Sequence, residues 1–489
     1  MSSSRLVRPG IARPVYLVAA AVVLVLLLLA GRYGPHRDEL YFLAAGDHLA
    51  WGYPDQPPLT PLLAAAADGL APGSLLALRV LPALLAGLVV VLAADLAREL
   101  GGGRPAQLLA ALVTGTGAGV LVVGHMLSTT TVDLATWSLA VWLTVRLLHR
   151  DTPRAWLLVG LVVGVGLQNK HLVGLLAAAL AVGVAVTPSL RHHLRSPWPY
   201  AGAALAAAIW LPNLLWQAAN DWPQLELASD VREEYGTAGG AVELLAMQLI
   251  LLNPLGAVLA ATGLVAVLRR PGWAFARPVG VAYVVLLPVF LLTGGKGYYL
   301  LPLLPPLAAA GAVVLEQRWS TYRLKVFALA VGLTALFPVP ALLPVLPADT
   351  LDATFYPALN EDGMETIGWP RVVRTVREAI DGLPAAQRAS AVVVTSNYGE
   401  AGALQWYGLG VPVHSGHNAY AEWGPPEQAG PVVWVGFGAP DPAALTGCRR
   451  TATLRTGVDN EEDGNGVWLC DGPARSWSHT WPLLRHLSA

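Results

Sequence analysis

Long apolar runs broken by proline and glycine dominate this chain, and they leave it few ways to fold. A helix crossing a hydrocarbon core of ~30 Å needs roughly 20 apolar residues. Candidate runs fall at about 14–31, 75–97, 107–125, 132–148, 155–168, 172–187, 200–218, 242–268, 278–293, 299–315 and 325–346, about eleven in all. Hydrophobic residues make up 55% of the 489 positions and charged ones 13%, with a mean hydropathy of +0.52. Such a composition excludes a soluble enzyme, a disordered protein or a nucleic-acid binder. The net charge of −1 steers no polyanion, and two cysteines are too few for a disulfide scaffold or a thiolate metal cluster.

The charges orient the spans. Residues 1–349 hold 22 of the 31 Lys and Arg and 17 of the 32 Asp and Glu. With the N-terminus in the cytoplasm, alternate loops collect Arg5, Arg8, Arg13, Arg98, Arg104, Arg146, Arg150, Arg154, Arg191, Arg195, Arg269, Arg270, Arg277, Arg318, Arg323 and Lys325 on the inner side. The outer side keeps Arg32, Arg37, Arg79, Lys170, Arg232 and Lys296. This is the positive-inside pattern. An odd number of spans then puts residues 350–489 outside. The first apolar run has no small-residue cleavage site before Gly34 and reads as a retained helix. Abundant Ala and Arg fit a GC-rich bacterial genome, so a multi-pass protein of a bacterial plasma membrane is expected.

The tail, richer in charge, reads as a small α/β domain. Gly368 to Gly382 has helical periodicity, and Glu400–Tyr407 is expected to be a helix. Ala391–Thr395, Val432–Phe437 and Val467–Cys470 are predicted strands. Cys448 and Cys470 lie in an oxidising compartment on this topology, as a disulfide or as two buried thiols. His414-x-x-His417 is a weak metal pair without a third ligand.

Most acids of the membrane part lie outside; only Asp95, Glu99, Asp151 and Glu316 lie inside. The first outer loop, about 32–74, is too apolar for a free loop and too broken to span. Asp38 to Ala50 fits a helix whose Leu40, Leu43, Ala44 and Leu49 can face the membrane surface. Pro57-Pro58 can start a second short helix, and Trp51 and Tyr53 suit the headgroup level. Asp38, at the mouth of the first span, can act as a general base or favour the helix dipole. Glu39 is adjacent but points about 100° away.

Asp133, at the outer end of the fourth span, either caps its helix or orients a substrate. Of only three lysines, Lys170 and Lys296 occupy tight outer turns, Gln168-Asn169-Lys170-His171 and Gly294-Gly295-Lys296-Gly297-Tyr298-Tyr299. A compact ammonium there can neutralise a phosphate or snorkel to headgroups. Asn213 and Gln217, beside Trp210 and Trp216, suit a sugar ring, though an aromatic belt would place the tryptophans equally well.

The stretch His36-Arg37-Asp38-Glu39-Leu40-Tyr41 followed by Asp55-Gln56-Pro57-Pro58-Leu59 resembles the first periplasmic loop of the GT-C glycosyltransferases. Within them it is most similar to the PMT-like group, the protein O-mannosyltransferases and the aminoarabinose transferase acting on lipid A. Lys296-Gly297-Tyr298-Tyr299-Leu300-Leu301-Pro302 resembles that group's lysine turn, and Asp133 an acidic position after its third span. The resemblance covers most of residues 15–345. It implies a mainly α, polytopic GT-C-type membrane domain (1–349) with an extracytoplasmic α/β domain (350–489). It further implies an inverting transfer from a polyprenyl-phosphate sugar to an extracytoplasmic acceptor, with Asp38 matching the catalytic aspartate.

The expected site comprises Asp38 and Glu39 as catalytic groups and Arg37, Lys170, Lys296, Tyr298 and Tyr299 around the donor phosphate. His36, Tyr41, Asp55, Gln56, Asp133, Asn213 and Gln217 would position the substrates. Where the aminoarabinose transferase carries a lysine before Pro-Pro-Leu, Gln56 stands here, so Arg37, Lys170 or Lys296 must supply the charge. No metal ligand set and no cofactor is firmly predicted; a divalent cation stays open, without a motif to support it. The competing readings are a transporter or flippase for a lipid-linked sugar, and a non-catalytic scaffold for the tail. Few mid-membrane charges and no inverted repeat count against transport.

Overall fold

The computed structural model describes residues 10–428 and 430–488. Arg5 and Arg8, counted above on the inner side, lie outside the described residues. The N-terminal two thirds are helical. First come α1 (Arg13–Leu29), α2 (Arg37–Asp47), α3 (Leu59–Leu70), α4 (Leu75–Glu99), α5 (Arg104–Gly115), α6 (Ala118–His125), α7 (Thr129–Arg150) and α8 (Trp156–Leu167). There follow α9 (Leu172–Val186), α10 (Trp198–Ala219), α11 (Pro223–Tyr235), α12 (Ala238–Ile250), α13 (Asn253–Arg269), α14 (Arg277–Thr293), α15 (Leu304–Arg318) and α16 (Thr321–Leu336).

Every predicted span overlaps one of these helices or a bent pair of them. Length and composition support fewer crossings than expected. Three helices qualify alone, α4, α7 and the continuous stretch Pro271–Thr293 that contains α14. Three bent pairs raise the number to at most six: α5 with α6 (57°), α9 with the turn Pro188–Arg195 (117°), and α12 with α13 (94°). Eleven crossings are therefore not established. The last bend falls at Asn253-Pro254, where proline at the helix start removes a backbone donor.

Helix packing relies on small residues. A Cβ added at Gly263 of α13 or Gly311 of α15 would strike the backbone of the other helix, so only glycine permits this approach. At one end of the bundle Arg98 pairs with Asp95 and Glu99, and Arg150 with Glu99. These are residues the charge pattern placed inside.

Near the C-terminus the chain forms α17 (Trp369–Asp381), β1 (Val392–Thr395), α18 (Tyr398–Trp406), β2 (Val413–Ser415), β3 (Val432–Gly436), β4 (Arg449–Thr453), β5 (Gly466–Cys470) and α19 (Trp477–Leu484). The sheet order is β2-β1-β3-β5-β4. β1 runs parallel to β2 and β3, and β5 runs antiparallel to β3 and β4. β2 and β4 lacked the apolar runs that mark the other three. A disulfide joins Cys448 to Cys470.

The first loop and this sheet share a core, which departs from the membrane-surface platform expected for α2. Leu40 is buried among Trp369, Val372, Val376, Val393 and Leu404. Tyr41, Phe42 and Ala45 pack with Ala401, Ala419 and Tyr420. α2 ends at Asp47, and Leu49 is exposed. Its apolar face thus meets protein rather than lipid. Close approach requires Gly399 and Gly402 on α18, where a Cβ would lie 2.8 Å from the Arg37 and Leu40 side chains respectively.

Candidate active site

The local chemistry begins at the start of α2. The His36 backbone N–H donates to Glu39 Oε2 at 2.9 Å, and His36 Nδ1 accepts from the Asp38 backbone at 3.2 Å. This capping arrangement pins the first turn and sets Asp38 on its surface. Glu39, grouped above with Asp38, is fully buried and engaged. Arg79 donates to it through Nε (3.0 Å) and Nη2 (2.6 Å), and the Leu127 backbone donates at 3.0 Å. Burial pushes this carboxyl up, but the charge and hydrogen bonds of Arg79, with the two backbone amides, outweigh it and hold the group below the ordinary range. These contacts anchor α2 to α4 and to the turn before α7.

Asp38 meets a residue from the C-terminal sheet domain. The Tyr398 hydroxyl donates to Asp38 Oδ1 at 2.8 Å. The Tyr398 ring packs against Tyr41 and His417, each with its centroid 4.7 Å away. Burial first, then the Asp38 charge, pushes the phenol far above its usual range, so it stays a donor. Arg37 lies over the same ring at 4.9 Å. Its guanidinium pairs with Glu461 and lies 3.9 Å from Glu365. Arg37, expected at the donor phosphate, is thus turned toward carboxylates of the tail.

The same pattern repeats one turn along. The Tyr41 hydroxyl donates to Asp55 Oδ1 at 2.7 Å and accepts from the Ala419 backbone at 3.2 Å. Burial raises Asp55 most; the Tyr41 hydrogen bond opposes it, the Asp38 and Glu422 charges add to it, and the group stands at about 7. Next to it, Gln56 is buried, and neither end of its amide has a hydrogen-bond partner among the described residues.

The turn at 168–171 locks onto this loop and onto the start of α7. The Leu59 backbone donates to the Gln168 carbonyl at 2.8 Å, Thr60 Oγ1 to Asn169 Oδ1 at 2.6 Å, and Asn169 Nδ2 to the Thr129 carbonyl at 2.7 Å. These contacts hold Lys170 over the rings of Tyr298 (5.2 Å) and Tyr299 (4.9 Å). Asp133 is buried beside it, within electrostatic reach of Lys170, and its Oδ1 has no hydrogen-bond partner among the described residues. Tyr298 in turn feels the charges of Lys296 and Asp38. Lys296 lies over the Tyr235 ring at 5.3 Å. Asp38, Asp133, Lys170, Lys296, Tyr298 and Tyr299, far apart in sequence, therefore belong to one region.

Other expected positions serve the loop. Asn213 Nδ2 donates to the Trp51 carbonyl at 2.9 Å, and its Oδ1 meets His171 Nε2 at 3.1 Å. Gln217 Nε2 reaches the Tyr53 carbonyl at 3.5 Å. Both amides lash α10 to residues 51–53. Tyr53, expected at the headgroups, is buried with its hydroxyl on the Ala45 carbonyl.

Among the described residues two groups gather three atoms fit for a metal, Asp151 with His192 and His193, and Glu365 with Glu461 and Glu462. The second adjoins Arg37, which supplies its positive charge. Glu365 is raised to about 8, by burial first and by Glu461 and Glu462, against the pull of Arg37. Neither group includes the His414 and His417 pair. His417 Nδ1 accepts from the Tyr398 backbone (3.3 Å), and its Nε2 meets Ser488 Oγ at 2.8 Å. Burial, with His486 and Arg37 nearby, pushes His417 down to about 3.

Sequence reasoning missed Tyr398, Glu365 and Glu461. The available signal was Asn397 with Glu400 three residues on, a capping box that starts α18 directly after β1. It places Tyr398 at a helix start without saying what lies opposite.

A mainly helical bundle with a sheet domain packed on its first loop defines the class of fold, one that solved structures share. Two solved structures of ArnT from Cupriavidus metallidurans share it at 16% identity, covering 94% of this chain and 97% of that one. The TM-score is 0.63 for the apo state and 0.59 for the form bound to undecaprenyl phosphate. Residues 55–216 match the family described as dolichyl-phosphate-mannose-protein mannosyltransferase. That stretch includes Asp55, Gln56, Asp133, Lys170 and Asn213 but stops short of Asp38 and Lys296. No curated protein sequence matches the chain. The resemblance to the PMT-like group is thus matched by the family model over a third of the chain and by the shared fold.

Proposed function

We propose that the chain transfers a sugar from a polyprenyl-phosphate donor to an extracytoplasmic acceptor, with inversion, and that Asp38 is the general base. The observation that carries this reading is the placement of Asp38 in one region with Lys170, Lys296, Tyr298 and Tyr299. The bound undecaprenyl phosphate of the ArnT structure supports a lipid phosphate as the leaving group. On this reading residues 350–489 form the extracytoplasmic domain and residues 1–349 the catalytic membrane domain.

The acceptor oxygen attacks the anomeric carbon while Asp38 removes its proton. The bond from that carbon to the phosphate oxygen breaks, and polyprenyl phosphate departs with the electron pair. Lys170 and Lys296 neutralise its charge, since Arg37 is already paired. Asp133 orients Lys170, and Gln56 contacts the donor with its unpaired amide. Glu39 takes no proton.

The test compares wild type and Asp38→Asn in membranes of a strain lacking the gene, with product glycan measured by mass spectrometry. Undecaprenyl phosphate binding to the purified proteins is measured alongside. Loss of product with binding retained supports the reading. Full product from the variant removes Asp38 from its role, and sugar flux into vesicles without glycan would favour a transporter.

A further inference from the structure

Asp38 belongs to the first loop, yet among the described residues its side chain takes its one hydrogen bond from a residue 360 positions away. The group that supplies it is held by several contacts. Tyr398 begins α18 directly after its N-cap, Asn397, so its backbone is fixed by the capping box. Its N–H donates to His417 Nδ1 at 3.3 Å. Its ring is stacked on Tyr41 at 4.7 Å and 29°, lies 4.7 Å from His417, and carries the Arg37 guanidinium at 4.9 Å. Arg37 is held in turn by Glu461 and Glu365 from the same side of the interface. Gly399 and Gly402 bring α18 against α2 closely enough for this contact.

The terminal torsion of an aspartate is soft, so an unpartnered carboxylate turns freely. A general base must hold one lone pair on the incoming hydroxyl within hydrogen-bond reach. A donor fixed on Oδ1 removes that freedom and leaves Oδ2 for the acceptor.

We infer that Tyr398 is a positioning residue of the transfer reaction, supplied by the C-terminal domain, and that the active site is incomplete without that domain. This rests on Asp38 being the base. Tyr398 gives up no proton: it donates to Oδ1 before and after Oδ2 takes the acceptor proton. The domain's second contribution, the Arg37 pair, keeps the ring in place.

The experiment uses the full-length protein and the assay above, with Tyr398→Phe, which keeps the stacked ring and removes only the hydroxyl. Product formation should fall roughly 10- to 100-fold, the size expected for losing a hydrogen bond to a charged group. Undecaprenyl phosphate affinity and melting temperature should stay at wild-type values. Rates are taken per molecule competent to bind undecaprenyl phosphate, so a folding defect does not pass for a catalytic one. Tyr398→Ala, which also removes the ring, should fall further and melt earlier.

Wild-type turnover by Tyr398→Phe would overturn the inference and leave the ring as packing alone. Faster turnover would overturn it too, by showing that the hydroxyl obstructs the acceptor. Asp38→Asn run in parallel separates the two readings. If it is inactive while Tyr398→Phe is normal, only the positioning role fails; if Asp38→Asn is fully active, the assignment of the base fails first.

Discussion

Glu39 and Arg79 form a buried ion pair in which two guanidinium nitrogens bind the two carboxylate oxygens, at 3.0 and 2.6 Å. Arg79 also donates to the carbonyls of Ala30 (2.7 Å) and Gly34 (2.9 Å), so one side chain ties the end of α1, the entry to α2 and α4 together. The pair determines where Asp38 stands without touching what Asp38 does. Removing one partner of a buried pair strands a charge and costs about 3–5 kcal/mol. Glu39→Ala should therefore lower the melting temperature sharply and reduce the yield of folded protein, as read by thermal unfolding in detergent. A Glu39→Ala protein that melts normally but makes no product would restore Glu39 as a catalytic group.

Gly402 tests the docking of the C-terminal domain. Alanine there would place a Cβ 2.8 Å from Leu40 Cβ, and overpacking of this kind costs about 1–3 kcal/mol. Gly402→Ala should melt earlier and lose product, because moving α18 moves Tyr398. Gly332, in α16 with nothing within 4 Å, is the control, and Gly332→Ala should be neutral or slightly stabilising.

The carboxylates around Arg37 predict how stability follows pH. Glu365 titrates at about 8 in the folded chain against 4.5 for the free side chain. Between those values the folded state binds more protons than the unfolded one, so stability falls as pH rises. Glu400 and Glu462 are raised as well, by burial first, and act in the same direction. His417, held down to about 3, acts the other way below its free value of 6.5, so the test is the comparison with Glu365→Gln: wild type should lose more melting temperature between pH 5 and pH 8 than the variant does. An unchanged slope in the variant would contradict the assignment.

The two lysines should separate by ligand. Lys170→Ala and Lys296→Ala should each weaken undecaprenyl phosphate binding several-fold, more so at low ionic strength, since screening competes with a partly exposed charge. Tryptophan fluorescence titration reads this directly, and unchanged affinity in both would move the phosphate site elsewhere.

The Cys448–Cys470 disulfide closes a segment of 22 residues. Closing a loop of that size stabilises by about 3 kcal/mol through the unfolded chain. A Cys448→Ala, Cys470→Ala double variant should unfold at a lower temperature, with the loss confined to the sheet domain in limited proteolysis. Equal protease resistance with and without the cysteines would show that the sheet holds itself.

Much of the molecule was legible in its residues. Apolar runs and their breaks located the helices, because a helix needs only local periodicity and a local cap. Val432–Val435 and Val467–Cys470 announced themselves as strands, whereas Val413–Ser415 and Arg449–Thr453, edge strands of mixed composition, did not. Asp38, Lys170 and Lys296 stood out by chemistry, the first as an acid at the mouth of a span and the lysines as lone cations in tight turns of an apolar chain. The membrane-surface face assigned to Leu40 and Ala44 went astray because an apolar stripe states that it will be covered, not by what.

From its residues alone, this protein has a helical membrane part with segregated charge, a small α/β tail and an acid at the mouth of the first helix. Only the tertiary structure decided that the tail sits on that acid, that Glu39 is an anchor, and that Arg37 faces Glu461. Those contacts join residues hundreds of positions apart. No local pattern records such a meeting, because the hydrophobic effect that drives it is indifferent to sequence distance and direction.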